Sequence, residues 1–99
     1  MEINKNYDDK KLIMEVTGRV DTITSQDLEK SINEEIGKFD SLTIDFEKVE
    51  YISSAGLRVL IATQKKLKKD NVPLVIENVN DTIKEIFRMS GFDKILEIQ

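Results

Sequence analysis

The segment from Tyr51 to Leu60, YISSAGLRVL, sets two serine hydroxyls side by side at the mouth of an apolar run. A serine can be a nucleophile, a phosphate acceptor or a helix cap, and its neighbours decide which. Nucleophilic catalysis needs a base. The chain has no histidine and no cysteine, which excludes imidazole bases, thiol chemistry, disulfides and imidazole or thiolate metal sites together. There is no G-x-S-x-G elbow, and Lys65, the first lysine after Ser54, falls about three helical turns further on, too far for a local base. An enzyme is therefore not expected. A nucleotide pocket lacks support as well, because neither G-x-G-x-x-G nor a P-loop is present. Asp21, Asp45, Glu47 and Glu50 surround the segment in sequence and are oxygen donors of the kind Mg²⁺ takes. Solvated loop charges or turn residues are the plainer reading of them, so no metal and no cofactor is expected.

The elements that position these serines follow from hydrophobic period. KLIMEVTG alternates with Leu12, Met14 and Val16 on one face, a strand ending near Thr17 and closing at Gly18. The weaker stretch Ile3 to Tyr7 is placed to pair with it as an antiparallel hairpin across the polar turn DDK. TSQDLEKSINEEIGKF puts Leu28, Ile32 and Ile36 on one helical face, behind a cap at Thr24 or Ser25 and ahead of Gly37. SLTIDF is a second strand, ending near Phe46. The next helix runs from about Ala55 to Lys69, with Leu57, Leu60, Ile61, Gln64 and Lys68 along one stripe. PLVIENV follows as a strand, then a short helix capped by Asn80 or Asp81 and stopped by Gly91, then a closing strand KILEI.

The order β-β-α-β-α-β-α-β implies an α/β fold: a single two-layer domain over residues 1–99, with a mostly parallel four- to five-stranded sheet and an N-terminal antiparallel hairpin. At 99 residues there is room for one core only. In such sheets the working loops lie at the carboxyl ends of the strands. Here these are GRVDTITS and EKVEYISSAG.

Composition narrows the partners. The formal net charge of −4 argues against direct nucleic-acid binding, which relies on a dominant basic surface. The one basic cluster, KKLKK at Lys65 to Lys69, falls late in a helix, where cations complement the dipole. No apolar run approaches the roughly 18 residues of a membrane span, and MEINKNYDD has no apolar signal core. The expected compartment is the cytoplasm, with no membrane contact.

Ser54 is placed to be the N-cap of the second long helix, where its hydroxyl would accept a free backbone amide, worth about 1 kcal/mol. The same amides and the positive end of the helix dipole also favour anions, so a phosphate on Ser54 would be tolerated there without unfolding the domain. Gly56 suits close approach of a partner to the backbone. Arg58, on the first turn, is placed to touch a phosphate or a partner.

TGRVDTITS, then LTIDFEKVEYISSAGLRVLI, then SGFDKI resemble, in this order and through nearly the whole chain, the STAS-domain family, and within it the small stand-alone anti-sigma factor antagonists of bacteria. The resemblance implies partner switching. The unphosphorylated antagonist binds an anti-sigma factor that is a serine kinase with a histidine-kinase-like ATPase fold, releasing a sigma factor. Phosphorylation ends that affinity, and a metal-dependent serine phosphatase restores it. The family pattern commonly reads Asp-Ser-Ser/Thr-Gly-Leu, with the phosphate on the residue two before the glycine. Anchored on Gly56 and Leu57, the acceptor becomes Ser54, and Ser53 stands where an acid is usual, which leaves Ser53 as the alternative acceptor. Asp21 matches the acidic residue of the loop after the second strand. The implied partner surface is Asp21, Thr22, Ser53, Ser54, Ala55, Gly56 and Arg58. The alternative within the family is an adaptor subunit of a transport or sensory complex without phosphorylation.

Overall fold

A computed structural model describes all 99 residues. The chain runs β1 (Glu2–Asp8), β2 (Lys11–Val20), α1 (Thr24–Asn33), β3 (Ser41–Ile52), α2 (Ser54–Lys69), β4 (Leu74–Glu77), α3 (Asp81–Ser90) and β5 (Glu97–Ile98). The five strands form one sheet in the order β1-β2-β3-β4-β5. β1 is antiparallel to β2 across a tight turn in which Asp9 takes a φ of 54°. Every other neighbouring pair is parallel.

Each parallel step moves one place in the same direction, so right-handed crossovers put all three helices on one face. Burial agrees with this. Leu12, Met14 and Val16, Leu42, Ile44 and Phe46, and Leu74 and Ile76 are buried, while Ile13, Glu15, Asp45, Val75 and Glu77 on the other face keep partial contact with solvent. The helices supply the opposing layer through Leu28 and Ile32 of α1, Leu57, Val59, Leu60 and Leu67 of α2, and Ile83 and Phe87 of α3. Lys68 is exposed rather than inward. The buried polar residue of α2 is Thr63, whose hydroxyl donates to the Val59 carbonyl at 2.8 Å. α3 is capped as its sequence implies: Asn80 Oδ1 accepts the Ile83 N–H at 2.9 Å, and Gly91 closes the helix at a φ of 78°.

The two central strands are longer than their alternation suggests. β2 continues through Gly18 to Val20 and β3 through Glu47 to Ile52, paired in parallel to the end, with Arg19 opposite Tyr51 and Val20 opposite Ile52. Register shifts between Glu15 and Thr17 and between Gly18 and Arg19 break the period of two. Gly18 supports the second shift at a φ of 104°. The buried positions at this end of β3 are therefore Phe46, Val49 and Ile52, three apart rather than two. At the chain's other end the closing strand shrinks to Glu97 and Ile98, because the N–H groups of Ile95 and Leu96 turn back to the Phe92 carbonyl in a 3₁₀ turn.

The edge strand β1 is fastened to the turns that follow α1. Tyr7 donates its hydroxyl to Glu35 Oε1 at 2.9 Å, and Lys5 Nζ reaches Glu34 and Glu35 at 3.4 and 3.3 Å. An inward-leaning charged residue of this kind also blunts an edge strand against pairing with other chains.

Gly56 enters α2 directly above the last pair of the long strands. A Cβ built on it would stand 2.8 Å from both Val20 Cγ1 and Ile52 Cγ1, closer than non-bonded carbons approach. Both neighbours are β-branched and stiff at χ1. Gly56→Ala is expected to lower the unfolding free energy by about 1–2 kcal/mol, since overpacking exceeds the gain in helix propensity. Urea unfolding measures this, and an unchanged midpoint would contradict the packing role.

Candidate functional site

The carboxyl ends of β2 and β3 lie side by side, so the two loops singled out by sequence meet. The link is direct: the Ser53 N–H donates to the Val20 carbonyl at 2.8 Å, one peptide before Asp21. EKVEYISSAG is thus mostly strand, and the turn into α2 is confined to Ser53.

That shift of boundary corrects the assignment of the cap. Ser53, extended at φ −87° and ψ 170°, is the N-cap of α2, and its hydroxyl oxygen accepts the Gly56 N–H at 3.2 Å. Ser54 is the first helical residue; it is exposed, and its hydroxyl makes no hydrogen bond within the chain. The offset lies in the start of the helix: extended geometry ends at Ser53 and Ser54 is already helical, one residue earlier than a cap at Ser54 requires. Capping and availability for chemistry therefore fall to different serines.

Asp21 does for α1 what Ser53 does for α2. Its Oδ1 accepts the N–H groups of Ile23 at 3.0 Å and Thr24 at 2.8 Å, while Thr24 Oγ1 accepts the Asp21 N–H at 2.8 Å. This is a reciprocal capping box, completed by the Thr24 hydroxyl donating to the Arg19 carbonyl at 2.7 Å. The expected cap at Thr24 or Ser25 is displaced to Asp21; the Ser25 side chain is buried and donates to the Thr22 carbonyl. Hydrogen bonds from Thr24, above all from its backbone, hold the Asp21 carboxyl below its ordinary range, with Arg19 adding to the effect. Asp21 therefore stays ionised at neutral pH, and its Oδ2 accepts no hydrogen bond from the chain.

Of the other residues expected here, Thr22 is exposed in the same loop, Ala55 is half-buried and Arg58 is exposed without an ion pair. Gly56 is buried, and its missing side chain makes room for Val20 and Ile52 rather than for a partner. Asp45 does not join the cluster. It lies mid-strand, where its Oδ1 accepts the Glu47 N–H at 2.9 Å and Asn78 Nδ2 at 3.1 Å.

Sequence reasoning missed two neighbours. Arg19 lies over the Tyr51 ring at 4.5 Å from its centroid, a pairing visible only once the register of β2 and β3 is known. Ile23 is 76% exposed, and its only signal was an apolar residue inside the polar run DTITSQD.

A one-sided, mostly parallel sheet with three helix N-termini at one end defines a small α/β domain whose exposed business lies in loops and caps. The chain belongs to the STAS-domain family, whose model it matches over residues 1–99. It is 27% identical to the anti-sigma-B factor antagonist of Staphylococcus aureus over 100 aligned residues, covering 99% of this chain and 92% of that one. An anti-sigma factor antagonist from Mycobacterium paratuberculosis has a similar structure, with a TM-score of 0.84 and 26% identity over 98% of this chain and 83% of that one. The anti-sigma factor antagonist SpoIIAA matches with TM-scores of 0.79 unphosphorylated and 0.78 phosphorylated, at 13% and 15% identity. These alignments cover 99% of this chain in each case, and 87% and 91% of SpoIIAA. No helix is long and apolar enough to cross a membrane.

The division of labour between the serines is directly measurable. Ser53→Ala removes the cap and is expected to cost about 1 kcal/mol of stability. Ser54→Ala should stay within about 0.5 kcal/mol of wild type. Equal losses in urea unfolding, or a larger loss at Ser54, would reverse the assignment.

Proposed function

We propose that this chain is an anti-sigma factor antagonist that binds an anti-sigma factor serine kinase, so releasing a sigma factor, and that phosphorylation of Ser54 inactivates it. A metal-dependent serine phosphatase would restore the binding form. In this reading the chain itself is not an enzyme, and it touches neither nucleic acid nor membrane. Membership of the STAS family and the relatives' antagonist names support the general role.

The observation that carries the switch is the free, exposed Ser54 hydroxyl on the first turn of α2, next to a Ser53 that already satisfies the cap. Phosphorylating Ser54 breaks no hydrogen bond within the chain. Ser53 is the weaker candidate, because its oxygen is engaged with the Gly56 N–H and its side chain is half-buried.

A phosphate adds about −1.5 to −2 charges near neutral pH, at a helix N-terminus that accommodates them. The fold is spared, and the cost falls on docking. Beside an ionised Asp21, the surface becomes more negative where a kinase active site must close over it. Desolvation and repulsion of about 3 kcal/mol lower affinity more than a hundredfold. Arg58, one turn along α2 from Ser54, is placed to face either the phosphate or the partner.

Calorimetric titration against the cognate kinase tests this reading. Ser54→Asp should bind at least tenfold more weakly than wild type, and Ser54→Ala should bind nearly as well yet take up no phosphate by intact mass. Undiminished binding by Ser54→Asp would contradict the switch, and phosphate on Ser54→Ala would move the acceptor to Ser53.

A further inference from the structure

α2 carries five of the chain's 15 basic side chains and none of its 19 acidic ones. Arg58, Lys65, Lys66, Lys68 and Lys69 are all exposed, and none is in an ion pair, since the ion pairs of the chain belong to Lys5 and Arg88. Arg58, Ala62, Lys65 and Lys69 follow at spacings of four, three and four, which lines them up on the helix face opposite the buried Leu60, Thr63 and Leu67. The dipole accounts for cations in the last turn. It does not account for a helix without one acid in a chain of net charge −4.

The open face of the sheet has the opposite bias. Glu15, Asp45 and Glu77 are register partners on β2, β3 and β4, which sets three carboxylates in a row with about 5 Å between neighbouring strands. Like charges placed side by side in a sheet repel. Their hydrogen bonds come from neutral donors, Asn6 for Glu15, and Asn78 and the Glu47 N–H for Asp45. Lys48 borders the row without forming an ion pair. The adjoining row, Ile13, Thr43 and Val75, is mostly apolar and also in register.

We propose that the Lys65–Lys69 end of α2 docks on the open sheet face of a second copy of this chain. Lys65 and Lys69 stand about 6 Å apart along the helix axis, close to the strand spacing. A helix laid across the strands therefore sets its two ammonium groups over neighbouring carboxylates of the row, while the lysine stems cover Ile13, Thr43 and Val75. The short side chain of Ala62 lets the sheet approach. The two surfaces lie on opposite layers of one molecule, so the contact is head to tail and adds copies in a stack rather than closing a pair. Exposed ion pairs are individually weak and screened by salt, so the association is reversible and belongs to high chain concentration. Neither surface includes Ser54 or Asp21, and the inference is independent of the phosphorylation switch.

Sedimentation equilibrium of the full chain at roughly millimolar concentration, in about 10 mM and about 1 M salt, is the test. Wild type should reach a weight-average mass of at least about twice the monomer's at low salt and return to monomer at high salt. Lys65→Glu with Lys69→Glu makes a copy acidic on both surfaces, and Glu15→Lys with Glu77→Lys a copy basic on both. Each alone should stay monomeric with a native circular dichroism spectrum, and an equimolar mixture should associate again, because contacts between unlike copies are then complementary. A wild type that stays monomeric at low salt overturns the proposal whatever the variants do. Association that persists at high salt or in either folded variant alone, or a mixture of the folded variants that stays monomeric, overturns it equally.

Discussion

The Cα of Gly56 rests on Val20 and Ile52, with no room for a methyl group between them. That contact ties together the ends of β2 and β3 and the first turn of α2, and the positions of the surrounding groups follow from it. Val20 and Ile52 are the last paired residues of the two longest strands. Beyond them the chain turns in two places, at Asp21 into α1 and at Ser53 into α2. The close seat of the helix and the Ser53 to Val20 hydrogen bond hold these turns next to each other. The groups exposed at this end are therefore set by the core beneath them rather than by loop flexibility.

Structural and chemical duties are divided between adjacent residues at this end. Ser53 satisfies the helix and Ser54 is left with its hydroxyl free. Within Asp21 the division is by atom, with Oδ1 engaged in the capping box and Oδ2 unengaged. The Ser54 hydroxyl thus takes no part in the hydrogen bonds that hold this surface in place.

Much of this was legible in the sequence. Element order, the two-layer arrangement, the N-terminal hairpin, a cap at Asn80 or Asp81 and the Gly91 stop follow from period and capping chemistry, and the family resemblance singled out Asp21 and the serine pair in two loops. The full lengths of the central strands escaped because of strand register. Alternation predicts a strand only while the pairing is regular, so the shifts after Glu15 and Gly18 hid the last third of β2 and the second half of β3. The cap falls to Ser53 rather than Ser54 because α2 opens one residue before Ala55, and Gly56, read from its missing side chain as open to a partner, is closed by its own core. The 3₁₀ turn before β5 replaced part of the last strand for a similarly local reason, since turns that bond back to Phe92 leave no period to read.

The central claim is that Ser54 carries a charge switch that leaves the fold unaltered. Amide ¹H–¹⁵N spectra of the chain before and after stoichiometric phosphorylation by its kinase test it most directly. A local switch confines the shifts to Arg19 through Ser25 and Ile52 through Arg58 and leaves the remaining resonances unmoved. Shifts spread across the sheet and α3, or collapse of the dispersed spectrum, would contradict it.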